Sequence, residues 1–266
     1  MRYEPRLPNQ SDPPITLPDL EPGHHLCCLY ETEEEHKALL TPFLCQGLER
    51  GETVIYAVHA HTVDSVLGYL QEDGLDVGPY LARGQLSIVA AESIYLRERV
   101  FNPEEMIPLL RTETERALAE GYVGLRATAE MTWALENPPG SHRLIEYEAK
   151  VNAFFRGCKC TALCQYDRAR FSPVVILNVL YSHPVVVVGA KTYDNFYYIP
   201  PEDFLGDDVP AAVLRNCMKN LAARKGLETE LRDAREQLRT AIQERILERR
   251  KANEALPPAS PGEKRG

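Results

Sequence analysis

Most of the features that would assign this chain a function at once are missing from its 266 residues. No apolar run approaches the roughly 20 residues that a membrane span requires. The opening stretch MRYEPRLPNQSDPP has no apolar core, so it does not read as a secretory signal. It is Pro-rich, and residues 1–20 are expected to be disordered. There is no excess of positive charge. Residues 1–220 carry 19 Lys/Arg and 31 Asp/Glu, a net of −12. Such an acidic body argues against nonspecific binding of nucleic acid or of an anionic membrane. Only residues 221–256 lean the other way, with 9 basic and 7 acidic residues, a net of +2. Seven cysteines without a signal point to reduced thiols in a cytoplasmic setting. Paired zinc-type spacing is absent too: Cys158-x-Cys160 with Cys164 is not the arrangement of a structural zinc site. No Ser/His/Asp set with supporting context is found, and Glu146 and Glu148, flanking Tyr147, read as a solvated helix face.

The most informative absence sits at the first strand-to-helix junction. His24–Tyr30, HHLCCLY, contains a short buried strand, continuous apolar residues bounded by Gly23. Thr32 followed by Glu35 reads as a capping box opening the next helix. In a nucleotide-binding α/β protein this turn would be glycine-rich with a Lys, holding phosphate on backbone N–H groups. Here it carries Glu31, Glu33, Glu34 and Glu35. These carboxylates suit the helix dipole and repel phosphate.

What is present is an alternation of strands and helices. Strands are expected over 52–60, 85–92, at YVGLRATAEM, over 160–166 and over 184–190. Helices are expected from Thr62 to Glu72, from Pro103 to Ala119 behind an Asn102 cap, and from Ser141 to Phe155. PVVILNVLY, opened by Ser172-Pro173, is read as a helix despite its β-branched residues. This order implies right-handed crossovers and an α/β fold with a mainly parallel sheet and helices on both faces. The body is expected to run over 21–208. From Ala211 a C-terminal helix or coiled coil follows over 211–256, and residues 257–266 form a disordered tail. Leu227, Leu231, Ala234, Leu238 and Ala241 follow the 4-3-4-3 spacing of a coiled-coil seam.

At GHHLCCLY, EGYVGLRATAEMTWAL, LIEYEAKVNAFF, ALCQYDRARFSP and YYIPPEDFLG, in that order, the chain resembles the MEDS domain, the methanogen/methylotroph sensory domain. That domain occurs in a dichloromethane-responsive transcription regulator and beside histidine kinases. The resemblance runs from about Pro22 to Gly206. It implies a RecA-like three-layer sandwich serving as an input module that senses hydrocarbon derivatives. The tail QERILERRKANEAL resembles the signalling helices that join sensors to output domains.

Candidate residues follow from strand geometry. His25 and Cys27, the His-x-Cys motif of the resemblance, share one strand face. They offer a soft metal or a polar pocket a nitrogen and a thiol; equally, they read as packed strand residues. Cys164 is a further candidate metal ligand. Ligands of open α/β sheets bind beyond the carboxyl ends of the strands. Tyr30, His59, Glu92, Tyr95, Glu130, Trp133, Tyr166 and Asp167 are all expected at such ends. A ligand pocket is therefore expected from His25, Cys27, Tyr30, Glu130, Trp133 and Tyr166, on the expectation that the His25 and Glu130 strands are neighbours. The alternative is that Trp133 and the tyrosines only seal the sheet against its helices.

These observations favour a non-catalytic module that senses a ligand or docks a partner in signalling or transcription regulation. Two alternatives stay open: an ATP-binding enzyme with a non-standard phosphate site, and a dimerising assembly module. The expected partners are a second copy through Leu227, Leu231 and Leu238, a signalling or transcription protein, and a small organic ligand or soft metal. A nucleotide cofactor, direct nucleic-acid binding and membrane binding are not expected.

Overall fold

The computed structural model describes residue 20, residues 22–188 and residues 191–254, the last five by backbone alone. The segments expected to be disordered lie outside the described residues, apart from Leu20. That residue is buried, and its carbonyl accepts a hydrogen bond from Arg50. No described helix is long and apolar enough to cross a membrane.

The first strand, β1 (His25–Tyr30), is buried along its whole length, as a continuous apolar run in a central strand should be. Helix α1 (Glu33–Glu49) starts where Thr32 accepts a hydrogen bond from the Glu35 N–H at 3.2 Å. Glu35 reaches back not to Thr32 but to the Glu31 N–H at 2.8 Å, so the expected capping box is displaced by one residue. The chain continues through β2 (Thr53–Val58), α2 (Val63–Glu72), α3 (Gly78–Ala82), β3 (Leu86–Ala90), α4 (Ala91–Tyr95) and α5 (Pro103–Ala119). A full capping box of Thr62 and Ser65 opens α2, and Asn102 with Pro103 opens α5. Next come β4 (Leu125–Glu130), 3₁₀ turns over Met131–Glu136 and Ser141–Arg143, α6 (Leu144–Phe155), β5 (Cys160–Asp167) and α7 (Pro173–Ser182). The Ser172 cap and Pro173 do make α7 a helix. The body closes with β6 (Val185–Val188), β7 (Lys191–Asp194) and α8 (Pro201–Phe204), before the long α9 (Val209–Glu254).

The seven strands lie in the order β3-β2-β4-β5-β1-β6-β7. All pairs are parallel except β6–β7. One face packs against α4, α5, α6 and α7 around Cys27, Leu29, Trp133, Tyr147 and Val151. The other packs against α1 and α2 around Leu26, Cys28, Phe43, Tyr56 and Val66. The α/β class, the mainly parallel sheet and the C-terminal helix are therefore as expected. One expectation fails: β1 and β4 are not neighbours, because β5 lies between them and pairs with both. The crossover through α6 delivers β5 into that gap, a long-range placement that local periodicity does not encode.

The chain divides into two units between Val213 and Leu214. In the first, Ile199, Phe204 and Ala212 pack with Ala149 of α6. In the second, Leu231 and Leu238 of α9 are substantially exposed.

At the amino-terminal end of the sheet, Arg126 is fully buried and pairs with buried Glu52. Its Nη1 donates to Gln46 Oε1 at 2.9 Å, and its guanidinium lies 4.7 Å over the Phe43 ring. Gly47 in α1 makes room for it: a Cβ there would meet Arg126 Cδ at 2.5 Å and Val54 Cγ2 at 3.0 Å. Ala in place of Gly favours a helix by about 1 kcal/mol. Disturbing a buried, paired charge costs about 3–5 kcal/mol. The second effect wins, so Gly47→Ala should destabilise the domain by about 2 kcal/mol in urea unfolding. A stabilised variant would show that Arg126 has room to move.

Candidate functional site

Two polar centres lie on opposite faces of the sheet, and β5 contributes to both. Along this strand Ala162, Cys164 and Tyr166 belong to one core, while Leu163 belongs to the other and Gln165 shares its face.

The first centre gathers at the carboxyl ends of β2 and β4. Glu130 is fully buried. One carboxylate oxygen accepts the consecutive backbone N–H groups of His59, Ala60 and His61 at 2.9, 2.5 and 3.1 Å. The other accepts from the Tyr56 hydroxyl at 2.5 Å and from His61 Nδ1 at 2.9 Å. Burial alone would raise the Glu130 carboxyl, but His61, Tyr56 and the His59 N–H outweigh it and bring it to about 2. The far side of His61 meets Glu33 at 2.9 Å. Chiefly through Glu130, the imidazole is raised to about 9 and is charged at neutral pH. His61 also stacks on His36, which bonds Gln165 Oε1 at 2.5 Å. Five protein donors thus saturate Glu130, which anchors the loop after β2. His61 thus bridges Glu130 and Glu33, the latter in the acidic first turn of α1.

The second centre is deeper. His25 begins β1, Glu148 and Asn152 lie one turn apart on α6, Cys164 and Tyr166 alternate on β5, and His183 follows α7 directly. All six are buried, Glu148 and His183 completely. Glu148 Oε2 lies 3.3 Å from His25 Nε2, 3.4 Å from His183 Nε2 and 3.5 Å from Cys164 Sγ. Cys164 Sγ is 3.4 Å from His25 Nε2. Glu148 Oε1 accepts the Tyr166 hydroxyl at 2.5 Å.

Neighbouring bonds fix the ring orientations. Asn152 Nδ2 donates to the carbonyls of Glu148, Ala149 and Ser182. Its Oδ1 therefore accepts from His25 Nδ1 at 2.9 Å. His183 Nδ1 donates to the Val179 carbonyl at 2.8 Å. In the neutral rings both Nε2 atoms are lone pairs aimed at Glu148, and His183 Nε2 has no hydrogen-bond partner. Burial, and then His183, hold the His25 pKa below its usual value. Burial opposes ionisation of Glu148; His183 and His25, when their Nε2 atoms carry a proton, outweigh it and keep its carboxyl well below the ordinary range. Burial pushes the Cys27 and Cys164 thiols up, and Cys28 to about 12, which makes all three poor nucleophiles.

A cavity of about 60 Å³ adjoins this centre. His25 and Cys164 supply polar wall, and Tyr95, Met106, Leu110 and Tyr147 supply much of the apolar lining.

The residues expected to form one pocket are thus divided. His25, Cys164 and Tyr166 meet around Glu148. Cys27 shares their face inside the core. Trp133 is packed at 1% exposure, stacked on Tyr95 at 5.0 Å, outside the cavity lining. Tyr30 faces the opposite core, its ring 4.6 Å from His36, and Glu130 belongs to that centre. Glu148 overturns its reading as a solvated residue: it lies on the α6 face with Val151, Asn152 and Phe155 and is completely buried. His183 was missed altogether. Its signal is a titratable ring separated by a single proline from a four-valine strand.

Comparison with known proteins gives three findings. The model of the MEDS family, described as methanogen/methylotroph, DcmR sensory domain, matches residues 24–184. The chain is 28% identical over 166 residues to the transcriptional repressor DcmR of Methylorubrum extorquens. That match covers 62% of this chain, which spans 60% of the repressor's length. Among solved structures, a KaiC-like protein of Pyrococcus horikoshii is similar at a TM-score of 0.46 and 16% identity, over 70% of this chain and 79% of that one. An uncharacterised protein of the same archaeon, solved with an unknown peptide, gives 0.48 and 17%, over 63% and 77%.

The ion pair of the first centre has a pH signature. His61 is raised from 6.5 to about 9, so its stabilisation is complete below pH 6.5 and is lost as pH rises through about 9. Glu130 is lowered from 4.5 to about 2, so its contribution is present above pH 4.5 and lost as pH falls through about 2. Stability from this pair should be greatest between these limits and fall on the order of 2 kcal/mol on the alkaline side. Urea unfolding at a series of pH values checks this. His61→Ala should flatten the alkaline limb; an unchanged slope would assign it to other groups.

Proposed function

The chain belongs to the MEDS family of sensory domains, and from that premise we propose that it is a ligand-sensing input module in transcription regulation, without nucleotide chemistry. The observation that carries this reading is the cavity beside His25 and Cys164. Its wall is apolar with few polar groups, the lining that a small uncharged organic molecule needs. At about 60 Å³ it suits a molecule of a few heavy atoms. The relative named as a transcriptional repressor supports the regulatory setting, and a cytoplasmic location accords with that role. Against the enzyme reading stand the acidic first turn of α1 and the carboxylate of Glu130, saturated by protein donors.

The test is thermal and denaturant unfolding with a series of one- to four-carbon apolar compounds, halogenated ones included. A ligand that binds only the folded state at 100 times its Kd adds about 2.7 kcal/mol. Ala129→Leu, which extends a cavity-wall residue into the space, should abolish that stabilisation while the domain still folds. Equal stabilisation of the variant would place the binding site elsewhere.

The same reading assigns output to α9, through a parallel homodimer along Leu227, Leu231 and Leu238. The last two are 47% and 62% exposed, and apolar residues at 4-3 spacing are covered by a second helix in a coiled coil. Sedimentation of the full chain and of residues 1–208 checks this. The full chain should dimerise more tightly; two equally monomeric species would remove the seam from the account.

A further inference from the structure

The buried centre has the donor set and spacing of a metal site, and we propose that His25 Nε2, His183 Nε2, Glu148 Oε2 and Cys164 Sγ bind one divalent transition-metal ion, zinc in the first instance. One ligand atom from each of these four residues lies within 4.8 Å of the other three. A tetrahedral ion with bonds of about 2.0–2.1 Å to nitrogen or oxygen and about 2.3 Å to sulfur has edges of about 3.3–3.6 Å between ligands. Four of the six edges between these atoms are 3.3, 3.4, 3.4 and 3.5 Å.

The surroundings point the same way. Metal-bound histidines hand their other ring N–H to a carbonyl or carboxylate, which fixes the ring and presents the lone pair. Asn152 Oδ1 and the Val179 carbonyl do this for His25 and His183. The Tyr166 hydroxyl takes the second oxygen of Glu148 and leaves Oε2 free to face inward. His183 Nε2 is fully buried, aimed at the centre and without a hydrogen-bond partner. Such an atom is costly in an apolar interior, and a metal ion satisfies it.

Charge bookkeeping favours a divalent ion. Two neutral imidazoles, one carboxylate and one thiolate sum to −2, so a dication leaves the centre neutral, as burial demands. Binding releases the Cys164 proton to solvent. Mixed nitrogen, sulfur and oxygen donors suit zinc, cobalt or iron(II) rather than magnesium or calcium, which want oxygen alone. The other set of His and carboxylate ligand atoms, Glu33, His36 and His61, offers no thiolate, and apart from His36 Nδ1 its ring nitrogens are engaged in internal bonds. The metal site does not require an organic ligand in the neighbouring cavity.

The experiment uses the full chain. Elemental analysis after refolding with one equivalent of zinc should find about one ion per chain that withstands chelator in the folded protein and is lost on unfolding. Refolding with cobalt(II) should give intense tetrahedral d–d bands and a sulfur-to-cobalt charge-transfer band. Cys164→Ser should lose the charge-transfer band, and His183→Ala should lose the ion, with circular dichroism reporting the fold. If a variant does not fold, the cobalt spectrum of the wild type decides: tetrahedral bands with a thiolate transition support the site, and their absence overturns it. No ion after refolding, or an unchanged spectrum in folded Cys164→Ser, likewise overturns it. None of these readouts depends on a ligand in the cavity, so failure here leaves the sensory reading standing.

Discussion

The fold of this domain turns on one buried carboxylate. Glu148 sits in the middle of the molecule with no exposure, and an isolated carboxylate cannot survive there ionised. It survives because groups from elsewhere in the chain converge on it: His25 at the start of β1, Cys164 and Tyr166 from β5, and His183 between α7 and β6. Asn152, one turn on, ties the same helix to Ser182 and to His25. The helices on this face are therefore keyed in position by polar contacts within an apolar layer. Greasy packing alone permits sliding; a charge with fixed partners does not.

The two centres differ in how completely the protein satisfies them. Around Glu130 every acceptor has a donor, and the positive charge of His61 is shared between two carboxylates. Beside it His36 Nδ1 is buried without a hydrogen-bond partner, so it is the carboxylate, not every atom of this centre, that is saturated. Around Glu148 acceptors outnumber donors, and one ring nitrogen is left over. A saturated centre is architecture. The under-saturated one is the centre on which the proposed metal site rests.

Local rules made much of the fold legible. Continuous apolar strands, the caps Thr32, Asn102 and Ser172, and the prolines at helix starts placed most elements, including an α7 rich in β-branched residues, while the short α4, β7 and α8 were not anticipated. The insertion of β5 between β1 and β4 was not legible, because strand order depends on contacts more than 100 residues apart. His25, Cys164 and Tyr166 were picked out by face and strand end. Glu148 was not: a Glu between Tyr147 and Ala149, beside Lys150, looks like any exposed helical residue until its partners arrive from other strands. The division of one imagined pocket into two centres has the same cause. Alternation assigns a residue to a face of its own strand, but not to the element that covers that face.

The alternation of β5 has an evolutionary consequence. Cys164 and Tyr166 serve one centre and the intervening Gln165 serves the other, so the strand is a shared reading frame. Substitutions can drift at either centre while the other is left intact. A single insertion or deletion within Cys160–Asp167 would shift one flank of the strand by a residue and exchange the two faces there. Descendants of this domain should therefore tolerate changes of letter in β5 more readily than gaps within it.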